Sequence, residues 1–332
     1  MTELIDLDKI VIASKNLDKV SIITPFEKIN SYSQNYNSNI YFKREDLQKV
    51  KSFKIRGAYN KISNLNSFQA SNGLVCASAG NHAQGFAVSC KIFGYKGMVF
   101  MPKDTPNQKV KQVKKFGGEY IEIVLVGENF SKAYEESIKE CDSKNKTFIH
   151  PFDDIEVITG QATIFYEIIN QIKYNLDYLF IPVGGGGLIS GAINVFKQLS
   201  PKTRIIGIEP MGAPSMYKSL KENMLVKLDK INRFADGVAV KKVGKLSFNF
   251  CKDYLDDIIL IDENEICDSI LELKTTENIT AEPAGAMSSV ALRYYKSKIV
   301  NKQVGCIICG GNNDNDRMPE IRKRANEWKI NN

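Results

Sequence analysis

The sequence predicts an α/β fold of mostly parallel sheets covered on both faces by helices. From about residue 40 to the end, short apolar runs alternate with amphipathic helical patterns. That βαβα rhythm is what parallel strands require, because each must be reached by a crossover. Several runs, such as YLFIPV at 178–183 and GCIIC at 305–309, are apolar throughout, as strands buried on both faces are. A length of 332 residues suggests about two domains.

In chain order, 41–46 (YFKRED) reads as a strand and its exit, and 52–65 (SFKIRGAYNKISNL) as a helix entered through Ser52 as its N-cap. A strand at 73–77 leads to a helix at 81–94 that stops on a glycine. The alternation continues with strands at 96–102, 119–126 and 147–152 (TFIHPF) and helices at 107–118, 129–143 and 157–172. The strand at 178–183 runs through four glycines into a helix at 188–199, and 203–210 is a strand. Helices at 265–274 and 283–296, the strand 305–309 and a helix at 318–329 close the pattern. The chain ends soon after its last motif, so no appended regulatory domain is expected.

Composition excludes several classes of function. No run of about 18 apolar residues is present, so no membrane span is expected. The opening MTELIDLDKIVIASKN is acidic early and lacks an apolar signal-peptide core, which points to the cytoplasm. The net charge of +7 comes from lysines spread along helices, as at Lys109, Lys111, Lys114 and Lys115, and not from one basic stripe with aromatics; no nucleic acid is expected. Seven scattered cysteines make no disulfide framework. Cys306 and Cys309 lack the second Cys pair or nearby His of a zinc site, so one buried Cys and one at a strand's end is the expectation, with no metal.

Three strand-to-helix junctions and one lysine carry the chemistry, since ligands of open α/β sheets bind at the carboxyl ends of strands. Gly184, Gly185, Gly186 and Gly187 let backbone amides converge at a helix N-terminus, an arrangement for a phosphate. No G-K-[ST] follows, which excludes a Walker loop, and Ile189 stands where a dinucleotide fingerprint needs its third glycine. A turn made only for close packing does not explain four glycines in a row. Ser78, Ala79, Gly80, Asn81 and His82 open a second helix and suit a carboxylate, with the Asn81 amide free for a hydroxyl or phenolate. His82, one of two histidines, has no Ser or Cys nucleophile beside it and is read as contributing its backbone N–H; His150 is read as structural. Cys309, Gly310, Gly311 and Asn312 form the third junction. Lys54, beside Phe53 at a strand-to-helix junction, is placed to lose solvent and have its pKa lowered, as a Schiff-base lysine requires. Alone it is one lysine among many. Beside a phosphate loop and a carboxylate loop it points to pyridoxal 5'-phosphate.

The motifs SFKIRGA, SAGNHAQG, PVGGGGLISG, EPAGA and CGGN, in this order, resemble the fold-type-II (tryptophan-synthase-β-like) pyridoxal-phosphate enzymes, in the branch of threonine dehydratase, serine dehydratase and serine racemase. KREDLQ, HPFDD, ITGQAT and FADGVAV draw it toward the threonine dehydratases, and the resemblance spans about residues 20 to 325. It implies two open, twisted, mostly parallel sheet domains: a large one from 1–63 and 154–332, and a small mobile one from 64–153. It implies that Lys54 carries the cofactor and then acts as the base at Cα. Phe53 lies against the cofactor ring, Gly184 to Gly187 and the Leu188 amide hold its phosphate, Asn81 meets its phenolic oxygen, and Cys309 faces its ring nitrogen. Ser78, Ala79, Gly80, Asn81 and His82 cradle the substrate carboxylate, and Glu282 lies near the ring edge.

The implied reaction is elimination of water and ammonia from L-threonine, giving 2-oxobutanoate, and from L-serine, giving pyruvate, with roles in isoleucine biosynthesis or amino-acid breakdown. Serine dehydratase and serine racemase are the sibling alternatives. Ala79 replaces the Ser that serves racemases as a second acid/base, which favours elimination. Cys309 stands where threonine dehydratases commonly carry Ser, which blurs threonine against serine. Glu209 to Ala213 resemble a cation site of the family, but Ser215 replaces an acidic ligand, leaving room for a monovalent cation only. A homodimer or homotetramer is implied. Outside the family, the rivals are a redox protein using the glycine loop for a nucleotide and a non-catalytic basic binding module.

Overall fold

The computed structural model describes residues 1–331. The chain runs α1 (Leu7–Leu17), β1 (Phe26–Lys28), α2 (Asn30–Tyr36), β2 (Asn39–Arg44), α3 (Lys54–Ser63), α4 (Ser67–Ser71), β3 (Leu74–Ala77), α5 (Asn81–Phe93), β4 (Gly97–Met101), α6 (Asn107–Gly117), β5 (Ile121–Leu125), α7 (Phe130–Lys144) and β6 (Thr147–Phe148). It continues with α8 (Ile155–Gln171), β7 (Tyr178–Pro182), α9 (Gly187–Leu199), β8 (Arg204–Pro210), α10 (Ser215–Lys221), α11 (Lys245–Tyr254), β9 (Asp257–Ile261), α12 (Glu263–Thr276), α13 (Pro283–Tyr294), β10 (Gln303–Ile308) and α14 (Met318–Asn331).

Two sheets result, as the α/β reading expects. A six-stranded sheet has the order β1-β2-β10-β7-β8-β9, and a four-stranded sheet the order β5-β4-β3-β6. Every pairing is parallel except β1 with β2. The central strands β7 and β10 are buried almost end to end, which accounts for their unbroken apolar runs. The strands of the smaller sheet fall between Leu74 and Phe148, inside a chain whose flanking parts build the larger one.

Helix α3 sits between the two sheets' helices. Its Gly57 meets α8 so closely that a Cβ there would overlap the Gln161 side chain, and a Cβ on Gly160 would lie 2.6 Å from the Arg56 carbonyl. On the other side, a Cβ on Gly85 of α5 would lie 3.0 Å from the Ile55 backbone. The start of α3, and with it Lys54, is therefore gripped from both sides by backbone-close contacts.

The structure corrects two local expectations. Ser52 is not an N-cap: it forms an isolated bridge with Gly310, its hydroxyl is buried without a partner among the described residues, and α3 begins at Lys54 with Phe53 as its uncapped first neighbour. The Phe53 N–H donates to the Cys309 carbonyl at 3.1 Å, so this stretch is held alongside the end of β10 and cannot turn its side chain onto the helix. The run TFIHPF is a strand only at Thr147–Phe148. His150 Nδ1 accepts the backbone N–H groups of Phe152 (3.2 Å) and Asp153 (2.7 Å), and this local turn ends the strand. Elements before residue 39 and between 211 and 262, including β9 and α11, lie outside the sequence-read pattern.

Candidate active site

The three junctions read from sequence meet around Lys54. Its Nζ is part-buried, donates to the Pro151 carbonyl at 2.8 Å and lies 5.2 Å from the centre of the Phe53 ring. Burial pulls the Lys54 amine down to about 8, against the opposing pull of Cys309 and Glu282. The Cys309 thiol is buried and pushed well above its usual range, so it is neutral.

The glycine loop is packed on every side. A Cβ on Gly184 would lie 2.8 Å from the Val238 Cα, one on Gly185 would overlap the Phe152 ring, and one on Gly187 would crowd the Phe152 backbone at 3.0 Å. Gly186 has φ +93°, a conformation open to glycine at little cost, and it is the residue from which α9 starts. The Gly185 carbonyl accepts the Gly244 N–H at 3.0 Å. Beyond the loop, Leu188 is buried in the first turn of α9, where amide N–H groups have no partner within the helix. The Ser247 hydroxyl, buried and without a partner among the described residues, lies against Gly186.

The carboxylate loop differs. The Ser78 hydroxyl accepts the Gly80 N–H at 3.2 Å, and a Cβ on Gly80 would meet nothing within 4 Å. Asn81, the first residue of α5, donates from Nδ2 to Glu282 Oε1 at 2.7 Å and accepts at Oδ1 from Asn312 Nδ2 at 2.7 Å. Asn312 also donates its backbone N–H to Glu282 Oε2 at 3.2 Å. Burial, with Asp236 adding to it, raises the Glu282 carboxyl to about 7. A lowered amine and a raised acid thus face one site, the pattern of paired acid/base groups.

His82 points away from this chemistry. Its Nε2 lies 2.9 Å from the Ile149 carbonyl, which can only accept, so Nε2 carries the proton. Nδ1 is left as a buried acceptor without a partner among the described residues, and burial lowers the ring to about 3. An acceptor does not bind a carboxylate, so the ring is no ligand for one. His150, lowered to about 4 by burial, is likewise neutral and serves the turn.

Four contributors are not singled out residue by residue in the sequence. Pro151 and Phe152 join Lys54 to the glycine loop, Ser247 adds a hydroxyl there, and Asp153 accepts the N–H groups of Lys245 (2.8 Å) and Leu246 (2.9 Å) at the start of α11. HPFDD is a visible signal for Pro151, Phe152 and Asp153; nothing in the sequence marks Ser247. Glu209 is buried, raised to about 8, and its oxygens are occupied by the N–H groups of Met216 (2.8 Å) and Tyr217 (2.7 Å). Among the described residues no group of three or more His, Cys, Asp or Glu is arranged to hold a metal ion.

A family model described as pyridoxal-phosphate dependent enzyme matches residues 19–310. The chain belongs to that family. It is 50% identical over 322 residues to a protein of Halalkalibacterium halodurans named L-threonine dehydratase biosynthetic IlvA, covering 97% of this chain and 77% of that one. The Bacillus subtilis protein of the same name is 49% identical, with 97% and 76% covered. Among solved structures, the processed form of threonine deaminase isoform 2 from Solanum lycopersicum matches with TM-score 0.89 and 37% identity over 97% of both chains. Maize serine racemase matches with TM-score 0.88 and 29% identity over 99% of this chain and 100% of that one.

The cofactor is pyridoxal 5'-phosphate, and the residues fit it. The lowered Lys54 amine suits its aldehyde, the glycine loop with the orphan Ser247 hydroxyl suits its phosphate, and the neutral Cys309 thiol suits an unprotonated ring nitrogen.

Proposed function

We propose that this chain removes water and ammonia from L-threonine, giving 2-oxobutanoate, and acts on L-serine to give pyruvate. The observation that carries the reading is a part-buried amine, Lys54, lowered to about 8 between a glycine loop packed for a phosphate and a loop left open at Gly80. The relatives named L-threonine dehydratase support threonine over serine as the main substrate.

Bound cofactor supplies the electron sink that makes the Cα proton removable. Lys54 holds the cofactor and then, freed by the substrate amine, takes the Cα proton on Nζ. The hydroxyl leaves Cβ as water, and the enamine product hydrolyses to the 2-oxo acid and ammonia. Gly184, Gly185, Gly186, Gly187 and Leu188 bind the cofactor phosphate, and Phe53 and Cys309 orient its ring. The backbone of Ser78, Ala79, Gly80, Asn81 and His82 holds the substrate carboxylate, and Asn81 orients the cofactor's phenolic oxygen. Ala79 has no proton to give to the opposite face of Cα, which favours elimination over racemisation.

The same reading takes 1–63 with 154–332 as one domain and 64–153 as a smaller one that closes over substrate. It makes the protein a cytoplasmic homodimer or homotetramer, a reading supported on location by the fact that no helix among the described residues is long and apolar enough to cross a membrane. It includes activation by a monovalent cation near Glu209, checked by replacing potassium with a bulky organic cation in the assay. The word biosynthetic in the relatives' names supports a role in isoleucine biosynthesis.

The test is a 2-oxo-acid assay with L-threonine and L-serine, run beside the visible spectrum of the purified protein. Lys54→Ala should lose the cofactor's visible band and at least about a thousandfold in kcat, the scale of a lost general base together with lost cofactor attachment. Wild-type turnover by that variant would sink the assignment. D-serine formation without oxo acid would move the function to a racemase.

A further inference from the structure

Beneath α3 lies a group of charges that the proposed chemistry does not use. Lys43 of β2, Glu45 just after it, Arg56 of α3 and Glu167 of α8 are all buried. Arg56 forks onto Glu45 (Nε to Oε2 2.9 Å, Nη2 to Oε1 2.8 Å) and onto Glu167 (Nη1 to Oε1 2.6 Å, Nη2 to Oε2 3.0 Å). Nη1 also donates to the Thr163 hydroxyl at 3.2 Å. Lys43 Nζ donates to Glu167 Oε2 at 2.6 Å and to the Thr24 carbonyl at 2.8 Å. Two cations and two anions sum to zero, and each has a partner of opposite sign.

Such a quartet is a poor way to gain stability, because desolvating four charges cancels most of their attraction and an apolar cluster of equal volume often does as well. What it supplies instead is direction. A guanidinium that forks onto two carboxylates accepts one orientation, unlike a greasy contact that slides. The three elements it joins are the strand leading to Lys54, the helix that begins with Lys54, and α8, which crosses that helix at Gly57 and Gly160. Arg56 stands two residues from Lys54, on the first turn of α3.

We propose that Arg56, through its forks to Glu45 and Glu167, is a positioning residue for Lys54: it fixes the axial and rotational setting of α3 and so the place from which the Lys54 amine reaches the cofactor and the Cα proton. This rests on the proposed role of Lys54. Arg56 touches neither substrate nor cofactor, so its loss acts on the chemical step and leaves substrate binding alone. A displacement of about 1 Å at a reacting group costs on the order of a hundredfold in rate.

The experiment compares parent, Arg56→Lys, Thr163→Val and Ile206→Val as holoenzymes. Ile206 is a buried residue of β8 away from the quartet and serves as a destabilised control. Four quantities are read: kcat and KM for L-threonine, the visible circular dichroism of the bound cofactor, and the thermal midpoint. Arg56→Lys keeps the charge and loses the double fork; kcat falls by at least about tenfold with KM within about twofold, and the dichroic band of the cofactor changes size, reporting a changed seat. Thr163→Val removes the hydroxyl that accepts from Arg56, along with that hydroxyl's bond to the Gly160 carbonyl at 2.7 Å, leaves every charge, and gives the same changes on a smaller scale. Ile206→Val lowers the midpoint and leaves kcat and the dichroic band at parent values. If Arg56→Lys keeps parent kcat and dichroism, or if Ile206→Val loses as much kcat at an equal drop in midpoint, the positioning role is wrong and the quartet is only structural. Should Arg56→Lys not accumulate folded, Thr163→Val decides by the same readouts. A parent without threonine turnover refutes the proposed function, while the dichroic band still tests the positioning.

Discussion

The loop at Gly184–Gly187 and the loop at Ser78–His82 are built on the same plan: each leaves the end of a parallel strand and opens a helix, and each is proposed to present backbone amides to an anion. They differ in what surrounds them. Around the first, backbone and side-chain atoms from β6's exit, from the segment before α11 and from α11 itself fill all the space a Cβ would need. Around Gly80 of the second there is nothing within 4 Å. On the proposed reading the first is a seat for a ligand that stays, and the second a seat for one that comes and goes. A permanent ligand tolerates rigid walls because it is bound once; a substrate needs a wall that leaves room to enter and exit, and the smaller sheet, carrying that loop, is the part proposed to move.

One methyl group added to each loop tests this contrast most severely. Gly185→Ala drives a Cβ into the Phe152 ring, and overpacking of this kind against a ring held by its own turn costs about 3 kcal/mol. Cofactor affinity should fall on the order of a hundredfold, read as the free cofactor concentration needed to restore the visible band. An unchanged affinity would mean the loop yields and is not the rigid seat described.

Lys54 stands between the two loops, and its protonation links them. In the proposed reaction the unprotonated amine, freed in the substrate complex, is the base, and with the amine lowered to about 8, kcat for threonine should rise by nearly tenfold per pH unit below that value and level off above it. The sign follows from the cause: burial disfavours the charged amine, so raising pH removes a proton that obstructs the reaction. A flat profile from pH 6 to 9 would assign the base elsewhere.

Gly80→Ala is the milder counterpart of the Gly185 change. Its methyl group enters open space, so folding and cofactor band should be unaltered, while the KM for threonine rises by about tenfold, equal to about 1.4 kcal/mol. If instead the cofactor band is lost, Gly80 belongs to the cofactor's seat and the distinction between the loops fails.

Much of this is legible in the sequence, and unevenly so. The buried strands are visible because parallel strands must be apolar throughout, and the glycine loop because four glycines in succession have no ordinary purpose. Lys54 is legible only through its neighbours, since a lysine's burial is set by elements distant in sequence: Pro151, Cys309 and Glu282 reach it from three other segments. Ser52 misleads because a Ser before a helical pattern usually caps it, and the bridge to Gly310 that prevents this is a contact across more than 250 residues. Strand β9 and helix α11 escape because β9 is an edge strand of only five residues with half-buried side chains and lacks the strong period that marks the centre of the sheet.

His82 offers the smallest effect and separates backbone from side chain within the open loop. Its ring donates from Nε2 to the Ile149 carbonyl and is held neutral by burial, so it braces α5 against the exit of the smaller sheet. His82→Gln can place an amide nitrogen near Nε2 and should leave kcat and KM within about threefold, since the residue's backbone N–H is untouched. His82→Leu leaves the Ile149 carbonyl without a partner and should lower stability by about 1–3 kcal/mol, measured by chemical denaturation, with kcat again within about threefold. A loss of kcat by tenfold or more in His82→Gln, at unchanged stability, would give the ring a part in the chemistry and would make the open loop more than a carboxylate cradle.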